Sequence, residues 1–279
     1  MRFGLLGAAG YVAPRHMAAI KCLGHELVVA CDHHDSVGVL DRYFPKCDYT
    51  RHEAEFNHLC REEGVDAVSI CTPNHCHVYQ AMAALAAGRE VICEKPLGLS
   101  TEDVRDLERC EAEAGGPRVW TILQLRHHPA VEAAKKAIGE GRNAVEVNYL
   151  TRRGPWYHKS WKGDTSKSGG LVFNIGIHLL DILIHLFGAS QEVSASGDNL
   201  SVEGRLVFER AYVKFLLSTD FRGADPERSI MINGNELDLS AGFESLHVES
   251  YRAALMGRGH GIADALPAVQ LAEDIVRCL

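Results

Sequence analysis

Two groups of residues have the types and spacing to move a proton while a hydride leaves a carbon. The first is Glu94-Lys95-Pro96, which follows the short apolar run at 90–93. Pro96 restrains the backbone of the lysine before it to an extended form. Burial at such a strand end lowers the pKa of the amine and makes its neutral, basic form accessible. The second group is Asn174, His178 and Asp181, inside the apolar segment 170–187. At i, i+4 and i+7 of a helix these share one face. There an imidazole can bind or relay a hydroxyl proton, with Asp181 orienting its ring. Lys95 is therefore a candidate base for oxidation of a secondary alcohol, with His178 as candidate partner, although a lone helix histidine is more often a hydrogen-bonded core residue. The sequence leaves open which of them takes the proton.

A hydride acceptor is implied by the N-terminus. Gly7-Ala8-Ala9-Gly10 follows the apolar stretch 3–6 and opens a predicted helix over 12–23. Glycine there lets the backbone turn tightly, and the helix end offers N–H groups to a pyrophosphate. Ala9 and Ala13 stand where the strict G-x-G-x-x-G pattern has glycine, so the loop by itself is a weak signal. Asp32 strengthens it, because it ends the next strand-like run, where an acid accepts the ribose hydroxyls. His33 and His34 follow it, not Arg or Lys, which favours NAD over NADP. Two more strand ends, Thr72-Pro73-Asn74 with His77 and Glu94-Lys95, point to the same crevice. The expected cofactor contacts are Gly7, Ala9, Gly10, Tyr11, Val12, Asp32, Thr72, Pro73, Asn74, His77, Glu94, Lys95 and Gln124. Cys71, His75, Cys76 and His77 could also be read as a metal cluster. No second Cys/His pair stands at zinc spacing elsewhere, so no metal is expected.

The elements that must carry these residues fall into two rhythms. Up to about Ile122, short apolar runs alternate with amphipathic segments, predicting strands near 3–6, 27–31, 67–71, 90–93 and 118–122. Helices are predicted over 12–23, 53–63, 78–87 and from Ser100 or Thr101 to about Ala114. This order implies a parallel Rossmann sheet covered on both faces. From Leu123 the pattern is a helix over 130–139, a strand over 144–151, a polar loop over 153–168 and a long helix over 170–187. Five strand-like stretches follow between 191 and 239, then helices over 246–256 and 262–277. The expected fold class is α/β: a Rossmann domain, residues 1–122, and an α+β domain with a mainly antiparallel open sheet, residues 123–279.

Composition limits the alternatives. With 279 residues, 46% hydrophobic and 24% charged, the chain has room for two ordinary domain cores. A net charge of −8 argues against nucleic acid as a partner. Nine scattered cysteines show no disulfide framework and suggest free thiols in a reducing cytoplasm. The N-terminus reads as a strand and phosphate loop, not as a cleaved signal. No apolar stretch is counted as long enough to span a membrane.

Taken together, the glycine loop, the acid, T-P-N-x-x-H, E-K-P and Gly169-Gly170 through Asn174, Gly176, His178 and Asp181 resemble the glucose–fructose oxidoreductase/inositol dehydrogenase family. Within it, GAAGYVAPRHMAAIK, VICEKPL, ILQLRHHPA, SWKGD and NIGIHLLD are similar to the dehydrogenases that oxidise C3 of a UDP-linked acetamido sugar acid in bacterial surface-polysaccharide synthesis, including O-antigen. The resemblance implies NAD as cofactor, a UDP-sugar acid as substrate, a homo-oligomer, commonly a tetramer packed through the open face of the C-terminal sheet, and Lys95 as the base. Members acting on inositol carry Asp where Asn174 stands. The diphosphate and carboxylate of such a substrate call for cations, drawn from Arg126, Arg152, Arg153, Lys159, Lys162 and Arg228. The expected substrate contacts are Tyr149, Lys162, Asn174, His178 and Arg228, with Trp156 and Trp161 available for stacking. A dehydrogenase of a free polyol or hexose, and a non-catalytic NAD-binding sensor, remain the alternatives.

Overall fold

The computed structural model describes residues 1–35, 37–139, 141–220 and 226–279. The chain divides into two units: Met1–Leu97, Glu102–Ile122 and Glu244–Asp264 form one, and Gly98–Thr101, Leu123–Phe243 and Ala265–Leu279 form the other.

In the first unit β1 (Arg2–Leu6), α1 (Ala13–Cys22), β2 (Glu26–Cys31), α2 (Val39–Tyr43), β3 (Asp48–Thr50) and α3 (Glu53–Glu62) alternate along the chain. Then come β4 (Ala67–Ile70), α4 (His77–Ala86), β5 (Glu90–Cys93), α5 (Thr101–Ala114) and β6 (Val119–Thr121). The six strands are all parallel, in the order β3-β2-β1-β4-β5-β6. Every residue of β4 is buried, as are all but the first of β1 and β5. That is why these strands read as continuous apolar runs and not as alternating ones. The short α2 and the edge strand β3 are additions to the predicted elements. DYT is too brief and too polar to show periodicity, and it gains strand form by pairing with Val29–Cys31.

The second unit contains α6 (Pro129–Ala137), β7 (Asn143–Leu150), α7 (Pro155–Lys159), α8 (Thr165–Ser168) and α9 (Ile177–Phe187). These are followed by β8 (Ser190–Gly197), β9 (Ser201–Phe208), β10 (Ala211–Ser218), β11 (Glu227–Ile232) and β12 (Asn235–Glu236). The sheet order is β12-β11-β7-β10-β9-β8, with only the β7–β10 pair parallel. Along β7, Asn143, Val145 and Val147 are buried while Ala144 and Glu146 are exposed, the alternation of a sheet with one covered face. The predicted polar loop over 153–168 is instead folded into α7, a 3₁₀ turn at Trp161–Gly163 and α8. Side chains of Ser160 and Asp164 cap the last two.

α10 (Leu246–Leu255) belongs to the first unit although it follows the second in sequence. Its buried face includes Tyr251 and Ala254, which join Phe3, Met17 and Ile20 in one core cluster. α11 (Ile262–Arg277) ends the chain. One expectation is corrected: the helical run Thr165–Phe187, 23 residues, is long and apolar enough to cross a membrane by length and composition. Since 72% of its most apolar window is buried inside the protein, it has the character of a core helix.

Candidate active site

The nucleotide cradle is built where β1 turns into α1. Gly7 sits at φ +87°, and a Cβ there would come within 2.7 Å of the Cys71 backbone. Both facts exclude any side chain at this position. A Cβ on Gly10 would approach the Gly7 carbonyl to 3.0 Å. The loop is tied to the next strand, because Gly7 N–H donates to the Cys31 carbonyl at 2.8 Å. Asp32 at the end of β2 is anchored on both carboxylate oxygens, accepting from Ala9 N–H at 2.9 Å and His34 N–H at 3.0 Å. α1 carries no side-chain cap, and its buried residues include His16, Met17 and Ile20. A backbone turn closed to side chains, a bare helix start and an acid fixed beside them fit a dinucleotide. Tyr11 stands out from this turn, 85% exposed, with the Arg15 guanidinium over its ring. Val12 is half-buried at the helix start.

After β4, Thr72 donates its hydroxyl to Gln80 at 2.6 Å, and Asn74 is buried in the 3₁₀ turn that leads into α4. His77 is buried, with Nδ1 2.7 Å from the Pro96 carbonyl and Nε2 2.9 Å from the Thr72 carbonyl. It is a strut between two strand-end loops. Burial lowers its pKa against the pull of the two carbonyls. Lys95, beside it in the β5 loop, is half-buried. Burial lowers the pKa of its amine, and the negative charge of Glu94 acts in the opposite direction.

Glu94 is buried, and its Oε1 accepts from His16 Nε2 at 3.0 Å and His247 Nε2 at 3.2 Å. Burial alone would raise the carboxyl's pKa, but the bonds from the two imidazoles outweigh it and hold the group well below the usual range. His16, His247 and Tyr251 are absent from the sequence-predicted site. PRH and SLHVES carry no local mark of a meeting that α1 and α10 make across most of the chain.

In the second unit, Asn174 lies in a π-helical turn, Val172–Gly176, that precedes α9. Its wider winding alters the assumed α-spacing to His178, a distortion frequent at functional sites. Asn174 and His178 are the half-buried positions of a stretch otherwise buried from Leu171 to Leu183. Asn174 donates to the Tyr157 hydroxyl at 2.6 Å. Asp181, expected from the sequence to orient the His178 ring, is buried in an ion pair, accepting from Arg126 Nη2 at 2.7 Å and Nε at 3.1 Å. That pairing commits Arg126, considered from sequence as a substrate cation, to the protein interior. The same turn carries Gln124, half-buried.

Two predicted substrate cations are found against aromatic rings. Lys162 Nζ is 4.7 Å from the Trp161 ring centre and 6.0 Å from that of Trp156. Arg228 lies 5.2 Å over Tyr149, its registered neighbour on β7. Arg153 stacks on Tyr157, which the sequence did not single out. Trp156 packs edge-on against Tyr157, so Lys162, Trp156, Tyr157 and Asn174 form one contact chain. Among the described residues, the side chains of ligand type that lie close together are His16, Glu94 and His247, not those of the Cys71–His77 segment.

A parallel sheet in 3-2-1-4-5-6 order, with its turn and acid at the strand ends, places the protein among Rossmann folds of the dinucleotide-binding type. Comparison with known proteins narrows the class. The model of an oxidoreductase family with an NAD-binding Rossmann fold (Gfo/Idh/MocA) matches residues 1–121, and that of its C-terminal alpha/beta domain matches 135–209. The chain belongs to this family, and its first unit is an NAD-binding Rossmann domain.

Among solved structures it is similar to the WlbA (WbpB) dehydrogenase of Thermus thermophilus in complex with NAD and UDP-GlcNAcA. The identity is 40% and the TM-score 0.93, over 100% of this chain and 95% of that one. The same enzyme with NAD and alpha-ketoglutarate matches at 41% identity and a TM-score of 0.93, covering 98% of this chain and 93% of that one. A curated relative, the 1,5-anhydro-D-fructose reductase of Ensifer adhaerens, is 30% identical over 65% of this chain and 55% of its own length. The chain thus spans little more than half the length of the first curated relatives it matches.

Proposed function

We propose that the protein oxidises the C3 hydroxyl of UDP-2-acetamido-2-deoxy-D-glucuronic acid to the 3-keto sugar, with NAD as hydride acceptor, in nucleotide-sugar synthesis for a bacterial surface polysaccharide. The observation that carries this is the end-to-end likeness, at 40% identity, to a dehydrogenase crystallised with NAD and UDP-GlcNAcA. NAD, held by Gly7, Gly10 and Asp32, supplies the hydride-accepting carbon. Lys95 takes the hydroxyl proton onto Nζ as the C3–H bond breaks, so one hydride and one proton leave and a ketone remains. His178 holds the reacting hydroxyl, and Asn174, kept in place by Tyr157, hydrogen-bonds the sugar. Lys162 and Arg228 meet the anionic groups of the substrate, and Tyr149 and Gln124 line the sugar and nicotinamide. The working form is a cytoplasmic homo-oligomer, a tetramer, joined through the open face of the second unit's sheet.

The test is NADH absorbance in single-turnover mixtures with UDP-GlcNAcA, UDP-N-acetylglucosamine and myo-inositol. Signal with the first alone is expected. Signal with inositol alone would reassign the protein to free polyols, which Asn174 in place of an acid disfavours. NAD binding without any signal would leave a sensor. Lys95→Ala should lower the rate by about 10²- to 10⁴-fold.

A further inference from the structure

Glu94 immediately precedes Lys95, and its carboxylate turns into the first unit. While Oε1 takes the two imidazoles, Oε2 accepts the Lys95 backbone N–H at 3.3 Å. The other nitrogen of His16 lies 2.7 Å from the Tyr251 hydroxyl, which lies 2.6 Å from Ser69 Oγ. With His16 neutral, the protons have one consistent arrangement: Ser69 donates to Tyr251, Tyr251 to His16 Nδ1, and both Nε2–H groups to Glu94. Burial lowers the pKa of His16, which keeps it neutral and suits that arrangement. The ligand atoms of His16, Glu94 and His247 lie within 4.8 Å of one another, close enough for a metal ion. Each of those atoms already has a hydrogen-bond partner in this network, so an ion is not needed to explain the cluster.

We propose that Glu94 is a positioning residue for Lys95: clamped by His16 and His247, its carboxylate holds the Lys95 backbone N–H and so sets the surroundings of the amine. The inference rests on Lys95 being the base. The titratable groups that face Glu94 are His16 from α1, His247 and Tyr251 from α10, Cys71 after β4, Cys93 in β5 and His77 from α4. Those that face Lys95 within the unit are Glu94 and His77. Glu94 is the anion among them, because burial pushes both thiols and the Tyr251 phenol well above their ordinary values. Burial pushes Lys95 toward a weak base, and the charge of Glu94 restores part of its basicity. An amine with too low a pKa would accept the substrate proton poorly, so the clamp keeps the base near its working range.

Competitive labelling of Lys95 with an amine-reactive reagent across pH, read by mass spectrometry on the whole protein, gives the amine's midpoint without substrate or turnover. Glu94→Gln is expected to lower that midpoint by about one pH unit or more. Glu94→Asp, which keeps the charge, should largely restore it. Tyr251→Phe cuts the network beyond His16 and should lower the melting temperature with the midpoint unmoved. An unmoved midpoint in folded Glu94→Gln overturns the proposal. If that variant does not fold, carboxyl-carbon NMR of the wild type decides. Glu94 is expected to stay ionised down to its ordinary value of 4.5 and below, and a protonated carboxyl at neutral pH overturns the proposal. A protein inactive on every sugar whose midpoint still shifts would remove the dehydrogenase reading and leave the clamp standing.

Discussion

At the scale of single residues, the site divides into groups whose place follows from local chemistry and groups whose place does not. Asp32 is of the first kind. It directly follows β2, and its two oxygens are held by Ala9 and His34 N–H groups, so it needs no reorganisation to receive a diol. Asp32→Ala removes charge-assisted hydrogen bonds of about 1.5–3 kcal/mol. Isothermal titration should therefore show NAD affinity falling by about 10- to 100-fold, with discrimination against NADP reduced. A wild-type affinity in the variant would place the ribose elsewhere. Glu94 is of the second kind. E-K-P marks it as a neighbour of the base, but only folding reveals that its carboxylate is turned away onto two histidines.

At the scale of elements, the segment holding Asn174 and His178 owes its geometry to what surrounds it. α9 is among the most apolar helices of the chain, and the one carboxylate it buries is matched by Arg126 from the 3₁₀ turn Gln124–His127. Losing one partner of such a pair leaves an uncompensated buried charge, which costs about 3–5 kcal/mol. Arg126→Ala should therefore show that loss in denaturant unfolding, and an Arg126→Met, Asp181→Leu double variant should recover most of it. If the single variant unfolds like wild type, the pair does not hold α9 in place. The π turn before α9 is the other local departure, since an insertion in the winding is not visible in a pattern of apolar residues.

For the molecule as a whole, pH couples to stability through the buried histidines. Burial lowers the pKa of His16 and His77 below the ordinary 6.5, so the unfolded chain takes up protons that the folded chain refuses. Stability is then highest above pH 6.5 and falls as pH drops from there through the lowered folded values. Glu94 adds a contribution of the usual carboxylate sign, present above about 4.5 and lost as pH falls through its depressed value. Melting temperature should decline first between these two ranges, and His16→Gln should flatten that decline. A melting curve indifferent to pH over that interval would contradict the buried, neutral state of His16. Light scattering after gel filtration should report a multiple of the chain mass, four if the open sheet face pairs as proposed. Tyr212 is half-exposed on that face at 50%, so Tyr212→Glu should shift the mass downward.

Periodicity and turn chemistry are local, and they were enough to specify the Rossmann half, the strand ends that carry Asp32 and Lys95, and the segment that carries His178. The apolar runs of β1, β4 and β5, the glycines of the first turn and the E-K-P end can all be read within a dozen residues. Tertiary structure alone decided which distant segments meet. It put α10 on the first unit and set His16, His247 and Tyr251 around Glu94. It also gave Asp181 to Arg126 and seated Lys162 and Arg228 on aromatic rings. Apart from the local seating of Lys162 on Trp161 and Trp156, these contacts join residues far apart in the chain, and their energies depend on burial and on partners that no local window of sequence contains.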